Sequence, residues 1–205
     1  MSNIVKFTKL YKGDDKMKNI EKTRMLEIEE ITKELLINVD FEKSPYVDIS
    51  SIVQKDGFHI KPQKMDIDTT GCLFVNDDKP KKERLILVNT IFTNPENEDD
   101  VVFKKSRFIT AHEYGHFILH KKDSGSIYAH RDTDHRTNPD ELEADYFARS
   151  ILMPLYQFEL YYNVANKLGK NDKNFTIHIL SKLFKVTKNK IEKRMEDLLV
   201  ITNNV

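Results

Sequence analysis

A chain of 205 residues in which 39% are hydrophobic, with 12 Phe and 8 Tyr, suffices for one domain, or one domain with a small appendage, built round its own core. Its 33 Lys and Arg balance 33 Asp and Glu, so no bulk charge directs it to nucleic acid, an anionic membrane or an acidic substrate, and any such preference has to be local. A single cysteine, Cys72, excludes an internal disulfide framework and a cysteine-built zinc site, and fits a reducing compartment.

Lysines interrupt the opening residues Met1 to Leu10 where a secretion signal needs an unbroken apolar stretch, and nowhere do about 18 apolar residues run together. The expectation is a cytoplasmic protein. Residues 1–16 are polar and read as a tail. From Met17 to Val39 the residues Ile20, Met25, Ile28, Ile31, Leu35 and Val39 fall on one helical stripe, the mark of an amphipathic helix covering a core face. Ser44-Pro45 breaks the chain, Val47 to Val53 reads as a second short helix ended at Gly57, and Phe58 to Pro62 alternates as a strand.

Thr70 to Val75 and Arg84 to Asn89 are β-rich runs joined by the charged, Pro-containing stretch 76–83, so a small antiparallel sheet is expected here. The near-continuous apolar run of Arg84 to Asn89 reads as interior. Thr70 to Val75 is then the expected open edge, on which an extended peptide could add as a further strand. Thr93-Asn94-Pro95 closes the sheet. Glu96, Glu98, Asp99 and Asp100 suit the approach to a helix N-terminus, and Ser106 could cap that helix if it starts late.

The stretch Arg107 to His120 contains one H-E-x-x-H. On a helix residues four apart sit one above the other, so His112 and His116 can offer ring nitrogens to one zinc ion, and Glu113 is placed as general base toward the water of such a site. Phe108, Ala111, Gly115 and Leu119 form an apolar stripe beside them. Gly115 in mid-helix costs about 1 kcal/mol against Ala, which predicts another helix or backbone passing close by. The polar stretch 121–137 follows, and its Tyr128, His130 and His135 are candidates for substrate or transition-state contacts.

Asn138 to Pro154 starts with an N-cap residue and a proline at the first helical position, and stops at a second proline. Glu141 and Asp145, four apart, share a face near its start. A catalytic zinc takes a third protein ligand and keeps one open position, and Glu141 is the expected third ligand, with Asp145 placed to orient a ligating histidine from behind. Glu141 also lies three residues beyond Asn138, so a plain capping role competes with this one. Glu143, roughly 160° to 200° round the helix from Glu141, reads as exposed. Leu119 and Lys122 stand where the three-histidine peptidases have their Gly and final His, which favours the carboxylate as third ligand.

At the C-terminus, two apolar-striped segments from Phe175 onward hinge at Val186-Thr187 in a helix-turn-helix-like pattern. Residues 173, 182, 185, 188, 190, 193 and 194 are Lys or Arg against the single acid Glu192 between 173 and 195, a local charge of +6 that could face DNA, although such a segment more often is a helical hairpin closing the fold or a protein-docking surface.

R-F-x-x-A-H-E-x-G-H-x-x-L-H at Arg107 to His120, followed by E-x-E-A-D-x-F-A-x-x-x-L-M-P at Glu141 to Pro154, resembles the ImmA/IrrE family of zinc metallopeptidases. P-x-V-D-I at Pro45 to Ile49 and I-x-V-N at Ile86 to Asn89 are similar to it too. The resemblance implies zinc ligands at His112, His116 and Glu141, one ion per chain, and a catalytic glutamate at Glu113. It also implies a protein substrate, a helix-turn-helix transcriptional repressor, whose cleavage switches on a mobile element or a stress response.

The expected architecture is α+β and zincin-like: a 1–16 tail, a peptidase domain over 17–168 and a helical C-terminal subdomain over 169–205. A zinc-dependent endopeptidase is the expected function. The alternative is a non-proteolytic regulator or antitoxin-like protein that binds DNA or a repressor and keeps its metal for folding only.

Overall fold

The computed structural model describes residues 20–76, 83–120, 127–130 and 138–202, and the expected tail at 1–16 lies outside them. Among the described residues the chain is α+β, with seven α-helices and a four-stranded sheet. Helix α1 (Lys22–Leu35) is shorter than its apolar stripe and buries Met25 and Ile28 together with Glu29 and Thr32. The short α2 (Ile49–Lys55) is capped by Asp48, which accepts the Ser51 N–H at 3.2 Å. Gly57, at φ 83°, then turns the chain into the first strand in a conformation that disfavours a Cβ.

Strands β1 (His59–Gln63), β2 (Gly71–Asn76), β3 (Glu83–Asn89) and β4 (Ile127–His130) lie in the order β1-β3-β2-β4. The β2–β3 hairpin is antiparallel with Leu73 opposite Ile86, as the sequence indicates. Two features differ from expectation. β1 runs parallel to β3, with Ile60 opposite Ile86, so the sheet is mixed. β2 is no edge either, because β4 pairs with it antiparallel, Tyr128 opposite Phe74 and His130 opposite Cys72. The alternation in β2 reports that one face is covered and the other less so; the hydrogen-bonding edge lies in the plane of the sheet, where side-chain patterning carries no information about it.

Helix α3 (Val101–His120) carries both histidines. It begins earlier than a Ser106 cap would require. Asp100 accepts the Val102 N–H at 2.9 Å and the Glu96 N–H at 2.9 Å, whereas Ser106 sits inside the helix with its carbonyl accepting the Thr110 hydroxyl. Every residue from Arg107 to Phe117 is buried, so the helix is covered all round instead of along one stripe. Leu73, Val75, Ile86 and Val88 of the sheet belong to the same buried core as Phe108, Ile109 and Tyr114 of α3.

Asn138 caps α4 (Pro139–Leu152) through a 3.1 Å bond from the Asp140 N–H, and α5 (Leu155–Leu168) follows at once. Helices α6 (Lys173–Leu183) and α7 (Lys188–Thr202) form the expected helix-turn-helix-like pair, turning at Lys185 with φ 52°. This pair is tied into the rest of the fold. Arg194 is fully buried and clamps Glu29 of α1 with bonds of 2.6 and 3.0 Å, while Arg107 of α3 donates to the Phe184 and Lys185 carbonyls. Much of the local positive charge is matched within the structure: Lys185 with Asp99, Lys190 with Asp145, Lys173 with Glu192, Lys193 with Glu196 and Arg194 with Glu29.

Candidate metal centre

The absence of a side chain at Gly115 sets how closely α3 and α4 approach. A Cβ there would lie 2.9 Å from Cδ1 of Phe147, a fully buried ring of α4, so the glycine predicted to have a packing reason has this one. The close approach brings the first turn of α4 over the histidines. Glu141 Oε2 lies 3.1 Å from His112 Nε2, Glu141 Oε1 lies 3.2 Å from His116 Nε2, and the two ring nitrogens are 3.1 Å apart.

Ligand atoms of a tetrahedral zinc at its usual bond lengths of about 2.0–2.1 Å are separated by roughly 3.3 Å. The contacts of this triangle come close to that, each ring facing a different oxygen of Glu141, and one ligand atom from each residue lies within 4.8 Å of the others. Two imidazole nitrogens and a carboxylate also form the donor set of catalytic zinc, with a fourth position left over. His112, His116 and Glu141 are all buried, and they form a group able to hold a metal ion. Electrostatics points the same way. Burial opposes charge on both partners, yet the bonds from His112 and His116 hold the Glu141 carboxyl well below the ordinary carboxylate range. The bonds to Asp145 and Glu141 hold His112 up at about 9 against its burial. An environment that favours a proton on the ring so strongly is one that favours a cation.

Each histidine has a partner on its other nitrogen. His112 Nδ1 lies 3.0 Å from Asp145 Oδ1, so with the proton on Nδ1 the lone pair of Nε2 points into the triangle. Lys190 Nζ of α7 approaches the other oxygen of Asp145 at 3.6 Å, and Arg149 donates to the Asp145 carbonyl. His116 Nδ1 lies 3.2 Å from His120 Nδ1; His120 Nε2 in turn lies 3.2 Å from Glu143 Oε2, which accepts from Arg24 Nε at 3.0 Å and Nη2 at 2.7 Å. Glu143 is therefore not a freely exposed residue as expected. Like Glu141 it meets a histidine of α3, and Arg24 of α1 reaches it from another helix.

Glu113 is 1% exposed and faces the sheet at Gly71, where a Cβ would fall 3.0 Å from Glu113 Oε1 and 2.5 Å from Ile109 Cγ2. The glycine at the start of β2 thus lets the sheet lie against this carboxylate. The neighbouring Cys72 is half-buried, and burial together with the charge of Glu113 pushes its thiol up. Tyr128 and His130 fall in β4, and His135 lies outside the described residues.

Five residues at or around the site escape a reading of the sequence: His120, Glu143, Arg24, Lys190 and Gly71. His120 carries a signal, being the third histidine in a row spaced by four; Glu143 lies on α4 between Glu141 and Asp145 but has a role only through His120 and Arg24, and the rest come from distant elements.

Residues 103–196 match the peptidase family described as IrrE N-terminal-like domain, in agreement with the resemblance carried by the motifs, and the match supports a metallopeptidase-family function. It spans α3, α4 and most of α7, hence all three residues of the triangle as well as Glu113, Asp145 and Lys190. No curated protein matches the chain significantly.

Proposed function

With an IrrE N-terminal-like peptidase match over residues 103–196, we propose that this protein is a zinc-dependent endopeptidase that hydrolyses a peptide bond in a protein substrate, a helix-turn-helix repressor, as a regulatory switch. The observation that supports the enzymatic reading best is the convergence of His112, His116 and Glu141 to within 3.2 Å of one another, with Glu113 buried directly beside the first of them in sequence.

In this reading His112, His116 and Glu141 hold one zinc ion. Zinc at such a site supplies Lewis-acid chemistry, polarising a carbonyl and making water more acidic. Glu113 takes the proton from the attacking water and delivers it to the leaving amine nitrogen. Its burial against β2 keeps the carboxylate in a surrounding where a fixed charge acts strongly. Asp145 fixes the ring of His112, and Gly71 leaves room for Glu113 to stand where it does.

An extended substrate adds most economically as a strand, since main-chain bonds serve many sequences. β4 occupies the side of β2 at Cys72 to Val75, which makes β4 the outermost strand on that side among the described residues. The proposed docking edge is therefore β4, within the stretch 121–137, and Tyr128, His130 and His135 remain candidates for substrate contacts. The motif resemblance supports the repressor as substrate. A repressor is met where the DNA is, so the compartment it implies is the cytoplasm.

Co-expression with a candidate helix-turn-helix repressor tests the substrate. A repressor fragment that appears with the active protein and disappears on chelation or with E113Q is the expected result. A repressor that stays intact beside zinc-loaded protein would overturn the substrate assignment.

A further inference from the structure

We infer that His120 is a positioning residue of the metal centre: it holds the ring of His116 through Nδ1 and is itself held by Glu143 and Arg24, so that helix α1 helps to aim a ligand on α3. This rests on the reading of His112, His116 and Glu141 as metal ligands. A ligating imidazole gives one nitrogen to the metal, and its other nitrogen then carries a proton that needs an acceptor. His116 is 5% exposed, so that acceptor has to come from the protein, and the atom in reach is His120 Nδ1 at 3.2 Å.

The protons fit this chain of contacts in one consistent way. With Nε2 of His116 toward the metal, its Nδ1–H donates to His120 Nδ1. The proton of His120 is then on Nε2, which faces the Glu143 carboxylate at 3.2 Å and donates to it. Glu143 cannot swing away freely, because Arg24 grips its Oε2 with both Nε and Nη2. A bland i, i+4 stacking of two histidines at the end of a helix would not require this alignment of donors and acceptors. Nor would it require an arginine from α1 at the far end.

The two ligands are thus held differently. His112 leans directly on a carboxylate, Asp145, whereas His116 leans on a neutral ring backed by a carboxylate. All four acidic residues in the first turns of α4 then approach the histidines of α3: Glu141 at both Nε2 atoms, Asp145 behind His112, and Glu143 at 3.2 Å with Asp140 at 3.9 Å behind His120.

The test is zinc affinity, measured by competition with a chromophoric chelator, together with the visible spectrum of the cobalt-substituted protein, for the parent, H112A, H120A, H120N and E143Q, each checked for native circular dichroism. Outer partners of metal ligands are usually worth about 10- to 100-fold in affinity, so H120A should bind zinc weaker by that order and shift the cobalt bands. H120N, whose amide oxygen can stand in for Nδ1 as acceptor, should recover most of the affinity and the parent spectrum, and E143Q should fall between. Parent affinity and spectrum in a folded H120A, beside a loss of metal in H112A, would overturn the inference and leave the metal centre standing. Equal impairment in H120A and H120N would also overturn it, since the loss would then follow ring volume. Parent affinity in H112A would remove the metal centre and the inference together. Should H120A not fold, a folded E143Q with parent affinity and spectrum overturns the inference on its own.

Discussion

Asp145 joins two distant helices at the back of the metal centre: its Oδ1 lies 3.0 Å from His112 Nδ1 of α3, and its Oδ2 lies 3.6 Å from Lys190 Nζ of α7. Lys190 also stands over the ring of Phe108, 3.6 Å from its centroid, so the contact is packed on two sides. The C-terminal segment therefore reaches the site through a charge contact, despite its distance from the H-E-x-x-H stretch in sequence.

Asp145→Ala is expected to keep the fold and to bind zinc about 10- to 100-fold more weakly, because the ring of His112 loses the acceptor that sets its tautomer. A chelator competition on folded protein measures this. Unchanged affinity would make Asp145 an ordinary helix residue.

Glu141→Ala removes a charged donor from the triangle and is expected to weaken zinc binding more than Glu143→Ala does, since Glu143 acts two contacts away from the triangle, through His120. Paired titrations of the two variants decide it. The reverse order would move the third ligand to Glu143.

The legible part of this site is the part that local periodicity governs. His112 and His116 share a helix face by spacing alone, Asn138 and Pro139 mark the start of α4, and Glu141 with Asp145 falls on one face by the same rule. What stayed hidden depends on elements far apart in sequence. Nothing near Glu143 in the sequence shows that Arg24 will cover it, and nothing near β2 shows that β4 will pair with its free side. The partners of the basic residues around α7 are hidden for a related reason: Lys185, Lys190 and Arg194 meet Asp99, Asp145 and Glu29 from other helices and loops, and charge counted along the chain cannot see them.

Gly115→Ala is expected to destabilise the protein despite the better helix propensity of alanine. The added Cβ meets the buried Phe147 ring at 2.9 Å; overpacking of this kind costs about 1–3 kcal/mol, against about 1 kcal/mol gained in the helix. Because α4 also carries Glu141, its displacement should weaken zinc binding as well. Urea unfolding and a zinc titration on the same variant measure both effects, and parent values in both would show that Phe147 can yield without cost.

Glu29 gives the pH dependence. Burial raises its pKa, but the charge and bonds of Arg194 outweigh this, so the folded value lies below the ordinary 4.5. A depressed carboxylate contributes stability that is fully present above its unfolded pKa and is lost as pH falls through the folded value. Stability should therefore decline below about pH 4.5, and Glu29→Gln should flatten that decline. The same variant should cost about 3–5 kcal/mol at neutral pH, because buried Arg194 loses its counter-charge. Urea unfolding across the acid range checks the slope. An equal slope in parent and variant would assign the acid loss to other carboxylates.

The most direct test of the peptidase reading is the comparison of parent and Glu113→Gln, each measured for bound zinc and for cleavage of the repressor substrate. One zinc per chain in both, with cleavage present in the parent and lost in the variant, is the predicted result, since the amide keeps the shape of Glu113 but cannot take the proton. Equal function of the two proteins with zinc bound would contradict it and point to a regulator that keeps its metal for folding alone.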